Sequence, residues 1–263
     1  MANARSGAES SCEGIPVLLL VGGMGTRLRP VLSGKPKPLA PIGNVPFLEL
    51  LVLQLRSQGL RRLVMCTGFQ ADQIQQEFGD GREWNVTIDY SEETRPLGTA
   101  GAIKLAEPFL LSATEFVVMN GDSFLELDLC QLIRFHREKG GWASIAVRRV
   151  PDAGRYGTVD VDGQNRVVRF SEKMGIQEPG LVNGGVYIFN REVLQHIPDG
   201  PSSLERDALP GLLKHGVFAL AQNGMFIDIG TPEDYARAQA LYHSLSQAAL
   251  SDSRIGSPKQ LHR

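Results

Sequence analysis

The chain has 263 residues, 42% of them apolar, with a formal net charge of −2 and an isoelectric point near 6.2. That balance excludes a general electrostatic grip on nucleic acid or on an anionic membrane, so any anion site must be built locally. The length suits one sizeable α/β core, read as a single domain over 15–250 between polar tails at 1–14 and 251–263, both expected to be disordered.

In chain order, IPVLLLVGG is a short apolar run closed by glycines, the pattern of a parallel strand buried on both faces. FLELLVLQLRSQGL has helical spacing and a stop at Gly59, and RRLVMCTGF restarts a strand. A helix at ADQIQQEF, a strand at VTIDYS, a helix at AGAIKLAEPFL, a strand at EFVVMNGD and a helix at LCQLIRFHREKG follow. This alternation predicts a mainly parallel sheet flanked by helices, a Rossmann-like fold. Past Gly141 the pattern turns to strands at ASIAVRRV, YGTVDVDGQNRVVRFSEK and GLVNGGVYIFN, so the sheet is expected to be mixed, with DGQN as a hairpin turn. One last helix is predicted over PEDYARAQALYHSLSQAAL, with Pro232 in its first turn.

Cys12, Cys66 and Cys130 are odd in number and lack C-x-x-C spacing, so they are expected to be reduced thiols of a cytoplasmic protein. The opening segment lacks the basic start and apolar run of a signal peptide, and no stretch approaches a membrane span. The histidines show no ligand spacing; His136, His196, His215 and His243 are read as surface or capping residues, and zinc is not implied.

The strongest chemical signal is Gly22, Gly23, Gly25, Thr26 and Arg27 in VGGMGTRLRP, followed by Lys37 in KPKPLAPI. Glycines after a strand let backbone N–H groups approach an anion, Arg27 can fork onto phosphate oxygens, and Lys37 adds a point charge. The glycines alone would make only a tight turn; the two cations point to phosphate. The dinucleotide fingerprint fails at Leu28, and no G-x-x-x-x-G-K-[ST] occurs.

Asp122 ends an apolar strand in FVVMNGDSF, and Asp228 follows apolar residues in MFIDIGTPEDY. Either could be an ordinary turn or cap residue; together, beside a phosphate loop, they make a candidate Mg²⁺ site, since that ion takes one or two carboxylates and completes its shell with phosphate and water. Gly98, Thr99 and Gly101 in PLGTAGAI would admit a base or ribose, although helix packing also explains them. Tyr156, Gly157, Glu172, Lys173, Asn183 and Gly184 offer groups suited to a hydroxyl-rich sugar, and Lys173 could hold its phosphate, against a plain solvated strand end.

Taken in order, VGGMGTRLRP with KPKPLAPI, PLGTAGAI, NGDS, FSEK, VNGGVYIF and FIDIGTPEDY resemble the marks of sugar-1-phosphate nucleotidyltransferases, over about residues 15 to 240. The resemblance implies Gly22, Gly23, Gly25, Thr26, Arg27, Gly98 and Thr99 for the nucleotide. It gives Arg27, Lys37, Asp122 and Lys173 to catalysis, Asp122 and Asp228 to Mg²⁺, and Gly157, Glu172, Lys173, Asn183 and Gly184 to the sugar. VLSGKPKP departs from the proline-leucine-threonine stretch of many relatives and looks like the bacterial D-glycero-α-D-manno-heptose 1-phosphate guanylyltransferases, with mannose-1-phosphate guanylyltransferases as competing members. The chain stops before any hexapeptide-repeat helix.

The implied substrates are a nucleoside triphosphate, GTP in the guanylyltransferases, and a sugar 1-phosphate; no nucleic acid or membrane partner is expected. Oligomeric state stays open, a homo-oligomer included. A catalytically silent nucleotide-sugar binder remains an alternative, as does a mannose- or glucose-1-phosphate enzyme. A glycosyltransferase would usually show Asp-x-Asp, which NGDS lacks.

Overall fold

The computed structural model describes residues 12–32, 34–154, 157–171 and 178–250. The apolar run becomes β1 (Val17–Leu20), flanked by parallel strands on both edges, and Val17, Leu18 and Leu19 are fully buried because both faces of the sheet are covered. Short β2 (Pro41–Ile42) and β3 (Val45–Pro46) lead into α1 (Phe47–Ser57). Then come β4 (Arg62–Thr67), α2 (Ala71–Phe78), β5 (Thr87–Glu92), α3 (Gly98–Leu105), β6 (Glu115–Asn120), β7 (Ser123–Leu125) and α4 (Leu129–Lys139). The strand-rich part supplies β8 (Ala143–Val150), β9 (Thr158–Val161), β10 (Val167–Ser171) and β11 (Gly180–Asn190). A four-residue α5 (Leu209–Leu212), β12 (Val217–Gln222), β13 (Phe226–Asp228), α6 (Pro232–Ala240) and α7 (Tyr242–Leu250) complete it.

The main sheet runs β5, β4, β1, β6, β11, β8, β12, with the β9–β10 hairpin joining the first half of β11. The first four strands are mutually parallel, and β11 runs antiparallel to β6 and β8, so the predicted mixed, mainly parallel sheet is what forms. Side chains alternate between two cores because successive residues of a strand point to opposite faces. Val17, Leu63, Val117 and Ile188 enter one core, and Leu18, Val64, Val118 and Tyr187 the other. Helices cover both faces, which is why these strands read as continuous apolar runs.

Several expectations need correction. Cys12 and Cys130 are disulfide-bonded, leaving Cys66 as the free thiol, so the reading of three reduced cysteines fails for that pair. Cys12 is itself buried in the core. His136 is neither on the surface nor a cap: it is buried, its ring nitrogens facing Ser144 Oγ at 3.0 Å and Asn190 Oδ1 at 3.1 Å. The last helix divides at Leu241, whose N–H reaches the carbonyls of Arg237 and Ala238. The helix predicted over AGAIKLAEPFL ends at Leu105, with Pro108 falling in a separate 3₁₀ turn over Glu107–Leu110. Strand β12, parallel to β8, was not anticipated.

Candidate active site

The C-terminal ends of β1, β4, β5 and β6 converge on one edge of the sheet, where open α/β folds place ligands. The loop after β1 is tied down by Val21 N–H to the Cys66 carbonyl (3.0 Å) and by Phe69 N–H to the Gly22 carbonyl (3.2 Å). Gly25 turns this loop at φ +55°, and a Cβ there would sit 2.8 Å from Lys37 Cβ. The loop glycine and Lys37 are thus fitted to each other. Lys37 itself lies in a 3₁₀ turn, Lys37–Leu39, with Pro36 before it and Pro38 inside it, which limits its backbone freedom.

Lys37 Nζ donates to Asp122 Oδ2 at 2.7 Å, and the lysine side chain is only 11% exposed. Asp228 joins them through a second, two-stranded sheet: β7 pairs antiparallel with β13, setting Ser123 opposite Asp228, and Ile229 N–H bonds the Asp122 carbonyl at 3.0 Å. Gln54 on α1 holds β7 in place by donating to the Leu125 carbonyl at 2.7 Å. Burial first, and then the nearby Asp122 charge, push the Asp228 carboxyl above the usual carboxylate range; Lys37 and the Gly230 N–H pull it back. With all three ionised the triad carries one net negative charge.

This donor set fits a divalent cation. The Asp122 charge acts on the Asp228 carboxyl, Lys37 is bonded to Asp122, and among the described residues no group of three or more His, Cys, Asp or Glu gathers to offer a fuller cage. The remaining ligands would come from phosphate and water, which is how Mg²⁺ is usually held.

Two cavities flank the triad's end of the sheet. The first, about 520 Å³, is lined by Gly22, Gly23, Glu93, Arg95, Gly98, Thr99 and Asp122. The second, about 440 Å³, is lined by Gly157, Thr158, Asn183, Ser203, Glu205 and Arg206. Gly22, Gly23, Gly98 and Thr99, expected from the sequence to meet the nucleotide, therefore share a wall with Asp122, and Gly157 and Asn183 share the other cavity. Thr26 and Arg27 are exposed on the loop and line neither. Tyr156, Glu172 and Lys173 lie outside the described residues.

Packing explains part of the glycine pattern. Gly98 has φ +71° and a Cβ there would meet the Ser202 carbonyl oxygen at 2.5 Å; at Gly101 the obstacle is the Gly200 carbonyl oxygen at 2.6 Å. The start of α3 is clasped by its own chain. Gly184 sits at an irregularity of β11, where a Cβ would strike Leu125 Cδ2 at 2.6 Å. Its tightness is a packing matter.

Sequence reasoning missed Glu93, Glu205 and Arg206. Glu93 follows β5, so the rule that ligands gather beyond parallel strand ends could have flagged it. Its Oε2 accepts the Leu97 N–H at 2.9 Å, and burial raises its carboxyl above the ordinary value, partly offset by that bond. Glu205 gives no such signal, since SSLERD reads as any capped helix start.

A β1 glycine loop, a lysine bonded to one strand-end aspartate and a second aspartate brought in by the two-stranded β7–β13 sheet make a site suited to phosphate and a divalent cation. The chain belongs to the nucleotidyl transferase family, whose model matches residues 16–244. It is 38% identical to the D-glycero-α-D-manno-heptose 1-phosphate guanylyltransferase of Aneurinibacillus thermoaerophilus over 225 residues, 84% of this chain and 96% of that one. It is 36% identical to the mannose-1-phosphate guanylyltransferase of Mycobacterium tuberculosis over 230 residues, 86% of this chain but 64% of that longer protein. The crystal structure of HddC from Yersinia pseudotuberculosis complexed with GMP-PN superposes with a TM-score of 0.78 at 36% identity, covering 87% of this chain and 99% of that one. No helix among the described residues is long and apolar enough to cross a membrane.

Proposed function

We propose that the protein transfers a guanylyl group from GTP to D-glycero-α-D-manno-heptose 1-phosphate, forming a nucleotide sugar and pyrophosphate. The observation that carries this reading is the Lys37–Asp122–Asp228 triad, whose Asp122 lines the glycine-walled cavity and whose strand β7 lies beside β11, the strand that supplies Asn183 to the second cavity. Guanine is supported by the guanylyltransferase relatives and by Glu93, whose carboxylate offers acceptors to a base edge rich in N–H donors. Mannose 1-phosphate is the second reading, favoured by the near-equal identity to the mannose enzyme.

In this reading an ionised oxygen of the sugar phosphate attacks the α-phosphorus in line and pyrophosphate departs from the opposite side. No general base is needed because the nucleophile is already an anion. Gly22 and Gly23 let the backbone approach the triphosphate, and Lys37, oriented by Asp122, neutralises charge on it. Asp122 and Asp228 would hold Mg²⁺, which supplies Lewis-acid polarisation of the phosphoryl oxygens when bound. Arg27 is assigned to the outer phosphates and Lys173 to the sugar phosphate.

Pyrophosphate release from five nucleoside triphosphates against heptose, mannose and glucose 1-phosphates tests the proposal. The highest kcat/KM is expected for GTP with the heptose substrate; a tenfold preference for mannose 1-phosphate would install the second reading, and no release from any pair would sink both.

A further inference from the structure

Glu205 occupies an unusual place between the two cavities. It sits in a π-helical turn, Leu204–Ala208, a rare geometry that is frequent at functional sites. Its carboxylate accepts three hydroxyls: Tyr187 O–H on Oε1 at 2.9 Å, and Thr99 Oγ1 at 3.3 Å and Ser203 Oγ at 3.2 Å on Oε2. Thr99 lines the glycine-walled cavity, while Glu205 and Asn183 line the other.

Each arm of this network is fixed. Thr99 Oγ1 also accepts the Leu204 N–H at 2.7 Å, so α3 and the π turn are joined twice. Tyr187 is fully buried and its hydroxyl in turn accepts from Asn183 Nδ2, whose Oδ1 takes the Gly185 N–H at 2.9 Å. Burial and the Glu205 charge hold that phenol well above its ordinary pKa, so it remains a donor. A continuous chain of hydrogen bonds therefore runs from Thr99 through Glu205 and Tyr187 to Asn183. None of its members belongs to the Lys37–Asp122–Asp228 triad.

We infer that Glu205 is a positioning residue that ties the nucleotide half of the site to the sugar half, fixing the spacing at which two anionic substrates must meet. The assignment rests on the transferase reading above. Its physical basis is that in-line attack tolerates little misplacement: an error of about 1 Å can cost about 10²-fold in rate. A bridge bonded to both walls removes that freedom before either substrate arrives. A purely structural hub would instead change thermal stability and leave the affinities of folded molecules intact.

The test is titration calorimetry of GTP and of D-glycero-α-D-manno-heptose 1-phosphate, separately, on wild-type protein and on Glu205→Ala, Glu205→Gln and Tyr187→Phe, with steady-state kinetics alongside. Glu205→Ala is expected to weaken both ligands at least fivefold and to lower kcat about 10²-fold. Glu205→Gln, which keeps an acceptor for Tyr187, should recover at least tenfold of that rate. Tyr187→Phe should weaken the sugar phosphate alone, since it cuts only the Asn183 arm.

A folded Glu205→Ala protein with both affinities and kcat within twofold of wild type overturns the inference, as does a Gln variant as damaged as the Ala variant. Where Glu205→Ala does not fold, Tyr187→Phe decides: loss of sugar-phosphate affinity alone supports the bridge, and unchanged affinity overturns it. Wild-type protein that binds both ligands but releases no pyrophosphate would refute the transferase reading, while the affinities still judge Glu205.

Discussion

Replacing Asp122 by Asn should separate catalysis from stability. The amide keeps the shape of the side chain, and the Asp122 carbonyl that accepts the Ile229 N–H is untouched. The lost ion pair with Lys37 is partly open to solvent, the aspartate side chain being 42% exposed, so it contributes at most about 1 kcal/mol. Removing the Asp122 charge also relieves Asp228, whose carboxyl that charge pushes up, and this offsets part of the loss. The melting temperature should therefore move by no more than about 2–4 °C, the shift that 1 kcal/mol gives in a domain of about 150–250 residues. Activity should fall at least about 10³-fold, about 4 kcal/mol of transition-state stabilisation, because a neutral amide is a poor Mg²⁺ ligand and leaves Lys37 unaimed. Pyrophosphate release at saturating Mg²⁺, read beside a thermal melt, measures both. Activity within tenfold of wild type would refute the metal-site reasoning, and a melt lowered by more than 10 °C would refute the stability reasoning.

Lys173→Ala should raise the KM for sugar 1-phosphate and lower kcat while GTP affinity, measured by calorimetry, changes little; loss of GTP binding alone would place Lys173 on the nucleotide side. His136 is buried and held below its ordinary value of 6.5, mainly by burial, so the unfolded chain takes up a proton that the folded one resists. Stability should fall as pH drops below about 6.5, and His136→Gln should flatten that slope in urea melts between pH 7 and 5; an unchanged slope would contradict the assignment. Denatured protein should titrate one thiol per chain without reductant and three with it, and three in both cases would refute the Cys12–Cys130 bond. In the folded protein Cys66, although it lines the first cavity, should resist iodoacetamide at pH 8, because burial and the Glu93 charge push its thiol up to about 12.

The parallel half of the fold was legible because β1, β4 and β6 are buried on both faces, so apolar runs ending at Gly22, Gly68 and Gly121 announce both strand and site edge. Asp122 and Asp228 could be paired from their motifs as a candidate metal site, but the means by which they meet could not be read: β7 and β13 have three residues each, too short to leave a periodic signal, and it is their pairing that makes the two carboxylates neighbours. The span after β11 was opaque for a similar reason. It breaks into a 3₁₀ turn, a π turn, a four-residue helix and a further 3₁₀ turn before β12. Glu205 was lost with it. Gly98 shows the opposite problem, a residue legible as special whose tightness comes from Ser202 packed over it, a contact that no local pattern encodes.

The central claim is that one site joins a triphosphate to a sugar 1-phosphate, and ³¹P NMR of GTP mixed with D-glycero-α-D-manno-heptose 1-phosphate, Mg²⁺ and the protein tests it most directly. The spectrum should lose both substrates in equal amounts and gain a nucleotide-sugar diphosphate and pyrophosphate one for one. Orthophosphate or GDP appearing in their place would contradict the account, because attack would then fall on the γ-phosphorus.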